Sequence, residues 1–98
     1  MPYARVTRIE ADADQLDEMA SQFEEQTVPL IQGLDGYRGY ALLGDRGSGA
    51  AMAITYWESE DAMRASEDAV KPERDRAVEA GQASGPPSVE RYEVVSQG

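Results

Sequence analysis

Apolar and polar positions change period several times along the chain, and each change marks an element. Residues 3–9, Tyr3-Ala4-Arg5-Val6-Thr7-Arg8-Ile9, alternate and are rich in β-branched side chains, which predicts a first strand. Acids accumulate over residues 10–14, and a helical period begins behind them. Leu16, Met19, Ala20, Phe23, Thr27, Leu30 and Ile31 fall on one stripe. Asp12 or Asp14 suits the N-cap, and Asp17 and Glu18 then sit where the helix dipole favours negative charge. Pro29 lies inside the stripe and predicts a kink or a restarted last turn; Gly33 predicts the stop.

Asp35-Gly36 predicts a turn into a second strand over residues 37–43. Residues 44–49 are glycine-rich but lie between two strands. A phosphate cradle needs a helix N-terminus behind it, so this segment reads as a hairpin connection. The next stretch organises the rest. Residues 49–57 form an apolar strand that ends in Tyr56-Trp57, and Ser59 then caps a helix with Glu60 and Asp61 in its first turn. Ala62, Met63, Ser66, Ala69 and Val70 give that helix its inner face. Pro72 predicts a break, residues 73–80 resume the period with Ala77 and Val78 inward, and Gly81 predicts the end. Residues 82–87 read as a loop and residues 89–95 as a last strand.

The order strand, helix, strand, strand, helix, strand predicts an α+β fold: a ferredoxin-like βαββαβ plait, a four-stranded antiparallel sheet with both helices on one face, in one domain over residues 3–95. In the third strand Ala51, Ala53, Thr55 and Trp57 face one way, and Ala50, Met52, Ile54 and Tyr56 the other. Neither face carries a charge, so both are expected to be buried. One helical layer covers one face. A homodimer with the two sheets packed together is expected to cover the other, burial of Met52, Ile54 and Tyr56 contributing about 2 kcal/mol each.

Composition narrows the chemistry. The 98 residues carry a formal net charge of −10, and the nine basic side chains are scattered, so neither nucleic acid nor an anionic membrane surface is an expected partner. The first ten residues alternate as a strand instead of forming an apolar leader or span, and a cytoplasmic protein is expected. Cys, His and Asn are all absent. That removes thiol nucleophiles, thiolate metal sites and Ser/His/Asp or Cys/His catalysis. The acids between Glu10 and Glu25 read as a solvated helix face. A divalent cation acting through them is a minor alternative, since no Asp-x-Asp-x-Asp-Gly loop is present.

Three segments carry a resemblance. Tyr56-Trp57-Glu58-Ser59-Glu60-Asp61-Ala62 resembles the strand end and acidic helix start of the antibiotic biosynthesis monooxygenase-like family of dimeric α/β barrels. Gly36-Tyr37-Arg38-Gly39-Tyr40 is similar to that family's entry to strand 2, and the Pro-x-Val-x-x-Tyr-x-Val run of residues 87–94 to its closing strand. The resemblance implies the plait, the dimer, and in some members cofactor-independent oxygenation of quinols or anthrones. It also implies that Trp57 matches the family's pocket Trp. Anthrone-oxidising members place an Asn where this chain has Ala53, and haem-degrading members use an Asn and an iron-binding His, neither of which occurs here. No cofactor is expected.

The candidate site follows from small residues beside one large ring. Trp57 with Ala53 and Thr55 is expected to leave a slot between sheet and helices, with Met63 on its wall and Arg74 or Arg76 placed to stabilise a phenolate. A small aromatic or polyketide-like ligand is expected there, with Trp57 the first choice for any catalytic part. The plainer reading of each residue is structural: Trp57 as core, and Arg74 and Arg76 as partners of nearby acids. The functional expectation is therefore a small-molecule-binding protein of this family acting as a cofactor-independent monooxygenase, or else a non-catalytic dimeric binding or accessory module.

Overall fold

The computed structural model describes residues 2–80 and 87–98, the side chains of residues 77–80 apart. Strand alternation sorts the side chains of β1 (Tyr3–Glu10) and β3 (Ala50–Trp57) onto two faces. The two strands pair antiparallel in continuous register, from Tyr3 opposite Trp57 to Glu10 opposite Ala50. β2 (Tyr37–Gly44) flanks β3, and β4 (Ser88–Glu93) flanks β1, giving the antiparallel order β2-β3-β1-β4. This is the predicted plait. β4 stops at Glu93, short of the predicted residue 95. Val94 turns its N–H to the carbonyl of Pro2 at 2.9 Å, and Val95 is 81% exposed.

Two glycines set the turns that hold β3 in place. Gly49 closes the β2–β3 hairpin with φ +84°, and its carbonyl accepts from Ala11 N–H at 2.9 Å. A Cβ there would stand 2.1 Å from the Ala11 carbonyl oxygen. Gly36 has φ +81° and accepts from Glu58 N–H at 2.7 Å; a Cβ would stand 2.5 Å from that of Ala62.

The first helical region comes in pieces. Asp12 caps a 3₁₀ turn (Ala13–Gln15), its carboxylate accepting from Asp14 N–H at 2.9 Å. Then follow α1 (Leu16–Gln22), a π turn (Phe23–Thr27) and α2 (Val28–Gln32). In the π turn Val28 N–H donates to Phe23 C=O, so one extra residue enters the coil just before Pro29. The extra residue rotates the stripe. Val28 is buried and Leu30 is 37% exposed, which corrects the expectation that Leu30 faces the core. Gly33 ends the segment as predicted, with φ −87° and no left-handed cap.

The second helical region breaks at Ser66, not at Pro72. Ser59 caps α3 (Glu60–Ala65), accepting from Ala62 N–H at 3.1 Å, and α4 (Glu67–Ala80) begins after Ser66. The Ser66 hydroxyl donates back to Met63 C=O of α3 at 2.6 Å and receives Arg5 Nη2 of β1 at 2.5 Å. α4 runs through Pro72. The N–H missing at Pro72 would have served Asp68 C=O, in the first turn of α4 on an exposed residue, where water can take its place. The inward placement of Ala77 and Val78, the stop at Gly81 and the loop over residues 82–86 lie outside the described residues.

The helices cover the face that carries Trp57. Phe23, Val28, Ile31, Met63 and Val70 pack with Trp57, and Leu16 packs with Ile9, Ala11 and Ala51. Among the described residues no helix is long and apolar enough to cross a membrane.

Candidate functional site in the sheet–helix cleft

Trp57 is completely buried at the far end of β3. Its Nε1–H donates to Thr55 Oγ1 at 2.9 Å, and Tyr37 meets it edge-on, centroids 5.8 Å apart at 73°. The Arg5 guanidinium lies 5.6 Å from the indole centroid. Arg5 is 3% exposed. A buried guanidinium needs partners, and it has them: Nη2 donates to Met63 C=O at 2.6 Å and to Ser66 Oγ, and Nε to Glu67 Oε1 at 3.2 Å. Burial lowers the Arg5 pKa; Glu67 opposes that shift, while Arg74 and Arg91 add to it.

Glu67 is a hub for three arginines. It accepts from Arg91 Nη2 at 2.6 Å and from Arg5, and Arg74 Nη2 approaches its Oε2 at 3.5 Å. Burial pushes the Glu67 carboxyl up, but the Arg91 hydrogen bond and the charges of Arg5, Arg91 and Arg74 outweigh it and hold the group below 4.5.

Along β3 from this hub the helix layer lifts off the sheet. Ala51, Ala53 and Gly44 supply little side chain, and a cavity of about 180 Å³ opens between them and Leu16, Met19, Ala20 and Phe23. Ile9 and Leu42 complete its apolar wall. Asp17 and Arg46 stand at its rim, paired in a two-point ion pair at 2.8 and 3.0 Å, both side chains largely exposed. The hydrogen bond and charge of Arg46 hold the Asp17 carboxyl below its ordinary value. Toward α4 a second, smaller pocket of about 50 Å³ shares Ile9, Phe23 and Ala53 with the first. Arg5, Thr7, Thr27, Thr55, Glu73 and Arg74 contribute to its lining, but the surface turned to the space is mostly apolar.

Ala53, Thr55 and Arg74 thus come together at the smaller pocket, and Ala53 borders both spaces. Trp57 and Met63 lie in packed core and line neither. The open space begins at Thr55 and runs away from the indole. Arg76 is 55% exposed and pairs with Glu73. Sequence reasoning did not place Arg5, Phe23, Thr27 or Glu73 in the site. Two signals were there to find: Arg5 sits in the inward set Tyr3, Arg5, Thr7, Ile9 of β1, and Glu73 continues the inner stripe Ser66, Val70 of the second helical region. Among the described residues no group of three or more acids is placed to hold a metal ion.

The family model for antibiotic biosynthesis monooxygenases matches residues 2–80. The uncharacterized protein Rv2557 of Mycobacterium tuberculosis is 39% identical over 94 residues, which are 96% of this chain and 41% of that protein. The chain therefore spans about two fifths of that relative's length. Among solved structures, a monooxygenase from the ActVA-Orf6 gene of Streptomyces coelicolor, in complex with nanaomycin D, superposes with a TM-score of 0.80 at 16% identity over 98% of this chain and 88% of that one. SnoaB, a cofactor-independent oxygenase from Streptomyces nogalater, solved as a mutant, gives 0.71 at 18% identity over 98% and 95%. These two likenesses establish a shared fold. With the family match extending over most of its length, this chain belongs to the antibiotic biosynthesis monooxygenase family.

Proposed function

We propose that the sheet–helix cleft binds a small aromatic molecule and oxidises it with molecular oxygen, without a cofactor. One observation carries this reading: the apolar cavity over Ala51 and Ala53 adjoins, across Ile9, Phe23 and Ala53, a smaller pocket whose lining includes Arg5 and Arg74. A ring fits the first part, and a developing phenolate is stabilised in the second. An engineered apolar cavity of about 150 Å³ holds benzene, so the larger space suits one or two fused rings. The chemistry balances simply. A ring carbon that bears two hydrogens in the keto tautomer loses a proton to give the enolate, which is electron-rich and reacts with oxygen. One oxygen atom stays as the new carbonyl, and the other leaves as water with both hydrogens. SnoaB, a cofactor-independent oxygenase, supports the reading by likeness of fold.

The homodimer belongs to the same proposal. Ala4, Val6, Met52, Ile54 and Tyr56 share the sheet face away from the helices, together with Leu43 and Tyr92, which are 52% and 49% exposed. A second copy packed on that face covers them.

The test is oxygen uptake with a panel of quinols and anthrones. Uptake is expected to require substrate and to fall at least about tenfold in Ala53→Leu, whose added carbons fill both spaces, but not in Arg64→Ala on the exposed side of α3. A second reading has its own observation. Trp57 is fully packed and already hydrogen-bonded, which suits a structural indole in a non-catalytic binding module. Binding that Ala53→Leu abolishes, with no uptake across the panel, would favour the module.

A further inference from the structure

We propose that Phe23 sets the size of ligand the cleft accepts, its ring standing as the partition between the two cavities. This rests on the reading of the cleft as an aromatic-binding site and names the residue that limits the ring system. Among the described residues three line both spaces: Ile9, Phe23 and Ala53. Ile9 and Ala53 belong to the sheet. They are diagonal neighbours on β1 and β3, in the register that sets Ile9 opposite Ala51 and Thr7 opposite Ala53. Phe23 is the one of the three that comes from the helix layer. The helical residues before it, Leu16, Met19 and Ala20, line the larger cavity, and Thr27 and Ile31 after it line the smaller. The ring therefore stands where one space gives way to the other. Its place is built: Phe23 opens the π turn, its carbonyl accepting from Val28 N–H, and the widened coil keeps Phe23, Thr27 and Val28 all buried. Tyr40 of β2 backs the ring, centroids 5.5 Å apart at 46°.

Both spaces turn mostly apolar surface inward, so fit discriminates between ligands more than polarity does. The larger, about 180 Å³, takes one or two fused rings, and the smaller, about 50 Å³, is too small for a ring of its own. A third fused ring has to enter the line of Phe23. Protein interiors are packed like organic crystals, and a side chain pressed off its rotamer costs tenfold or more in affinity. Without the phenyl ring the two spaces become one. That space follows β3 from Ala51 to Thr55, about 13 Å of strand, which is enough for three fused rings. The ligand class is a monocyclic or bicyclic aromatic, and Phe23 is the residue that excludes the tricyclic one.

Quinoline and acridine test this by fluorescence titration of the purified chain. They have two and three fused rings with one ring nitrogen each, and both are uncharged in mildly alkaline buffer. The unaltered chain is expected to bind quinoline at least about tenfold tighter than acridine. In Phe23→Ala acridine is expected to tighten at least about tenfold while quinoline changes by less than about threefold. Val28→Ala loosens the same core but borders neither cavity, and is expected to keep the preference for two rings. Equal affinity for the two ligands in the unaltered chain would overturn the inference and leave the cleft reading in place. So would acridine binding that Phe23→Ala leaves unchanged, or that Val28→Ala improves as much. No binding of either ligand to the unaltered chain or to Phe23→Ala would overturn the cleft reading and the inference with it. Where Phe23→Ala fails to fold, Phe23→Leu removes the ring and keeps apolar bulk, and is expected to improve acridine binding at least about threefold.

Discussion

Trp57 is one residue on which many contacts converge: a hydrogen bond to Thr55, an edge contact from Tyr37, a cation over its face and the packed core around it. Truncation to Ala leaves a large void and strips Arg5 of part of its shelter. We expect Trp57→Ala to lose about 3–5 kcal/mol in chemical denaturation, a large share of what a small domain has. Glu67 gives a residue-level pH effect. Its folded pKa lies below 4.5, so its stabilising contribution is present above that value and is lost as pH falls through the lower folded one. Glu67→Gln should therefore flatten the acid side of the stability curve, read as melting temperature between neutral and strongly acid pH. The residues of the site were only partly legible in the sequence. Alternation and small size marked Ala53 and Thr55, because both properties are local. Whether Trp57 borders open space depends on where the helices lift off the sheet, and no local pattern states that. Arg5 and Glu73 were within reach of the strand and helix periods, but a charged residue on an inward stripe is easily read as a surface one.

Among the elements, the two proline-bearing helices teach opposite lessons. Pro29 follows a π turn that loosens the coil ahead of it, so the predicted interruption is there and the stripe rotates with it. Pro72 sits inside a continuous α4, while the interruption falls at Ser66, where a hydroxyl is drawn toward Arg5 and the Met63 carbonyl. Of the two partners at that break Arg5 is distant in sequence, so the helical period alone could not show it. A proline tolerated in a helix still carries a cost. Pro72→Ala is expected to raise stability by about 1–2 kcal/mol, the gain in helix propensity being offset in part by a freer unfolded chain. No gain in melting temperature would mean that α4 is not continuous through that residue. The strands were the most legible elements, since a period of two needs no partner to be read. The glycines at the turns carry their own reasons. Gly49→Ala should destabilise by about 2 kcal/mol or more, because its positive φ and the nearby Ala11 carbonyl leave no room for a Cβ.

For the whole molecule, the outer sheet face carries an apolar patch of Ala4, Val6, Met52, Ile54 and Tyr56 beside the Arg8–Glu90 ion pair, and the chain's one helical layer lies on the other side. A dimer is therefore expected. Sedimentation at micromolar concentration should give twice the chain mass, and Ile54→Arg, which puts a charge at the centre of the outer face, should give the monomer. A monomer in the unaltered protein would remove the second copy from the proposal and leave the cleft untouched, because the cleft lies on the opposite face of the same sheet. That separation also makes the central claim directly testable. The alanines carry methyl probes on both faces: Ala51 and Ala53 toward the helices, Ala4 toward the outer side. With alanine methyls labelled for NMR, titration with 2-naphthol is predicted to move the Ala51 and Ala53 resonances by ring current while Ala4 stays still. Shifts at Ala4 with none at Ala51 or Ala53 would place the ligand on the wrong side of the sheet and contradict the account.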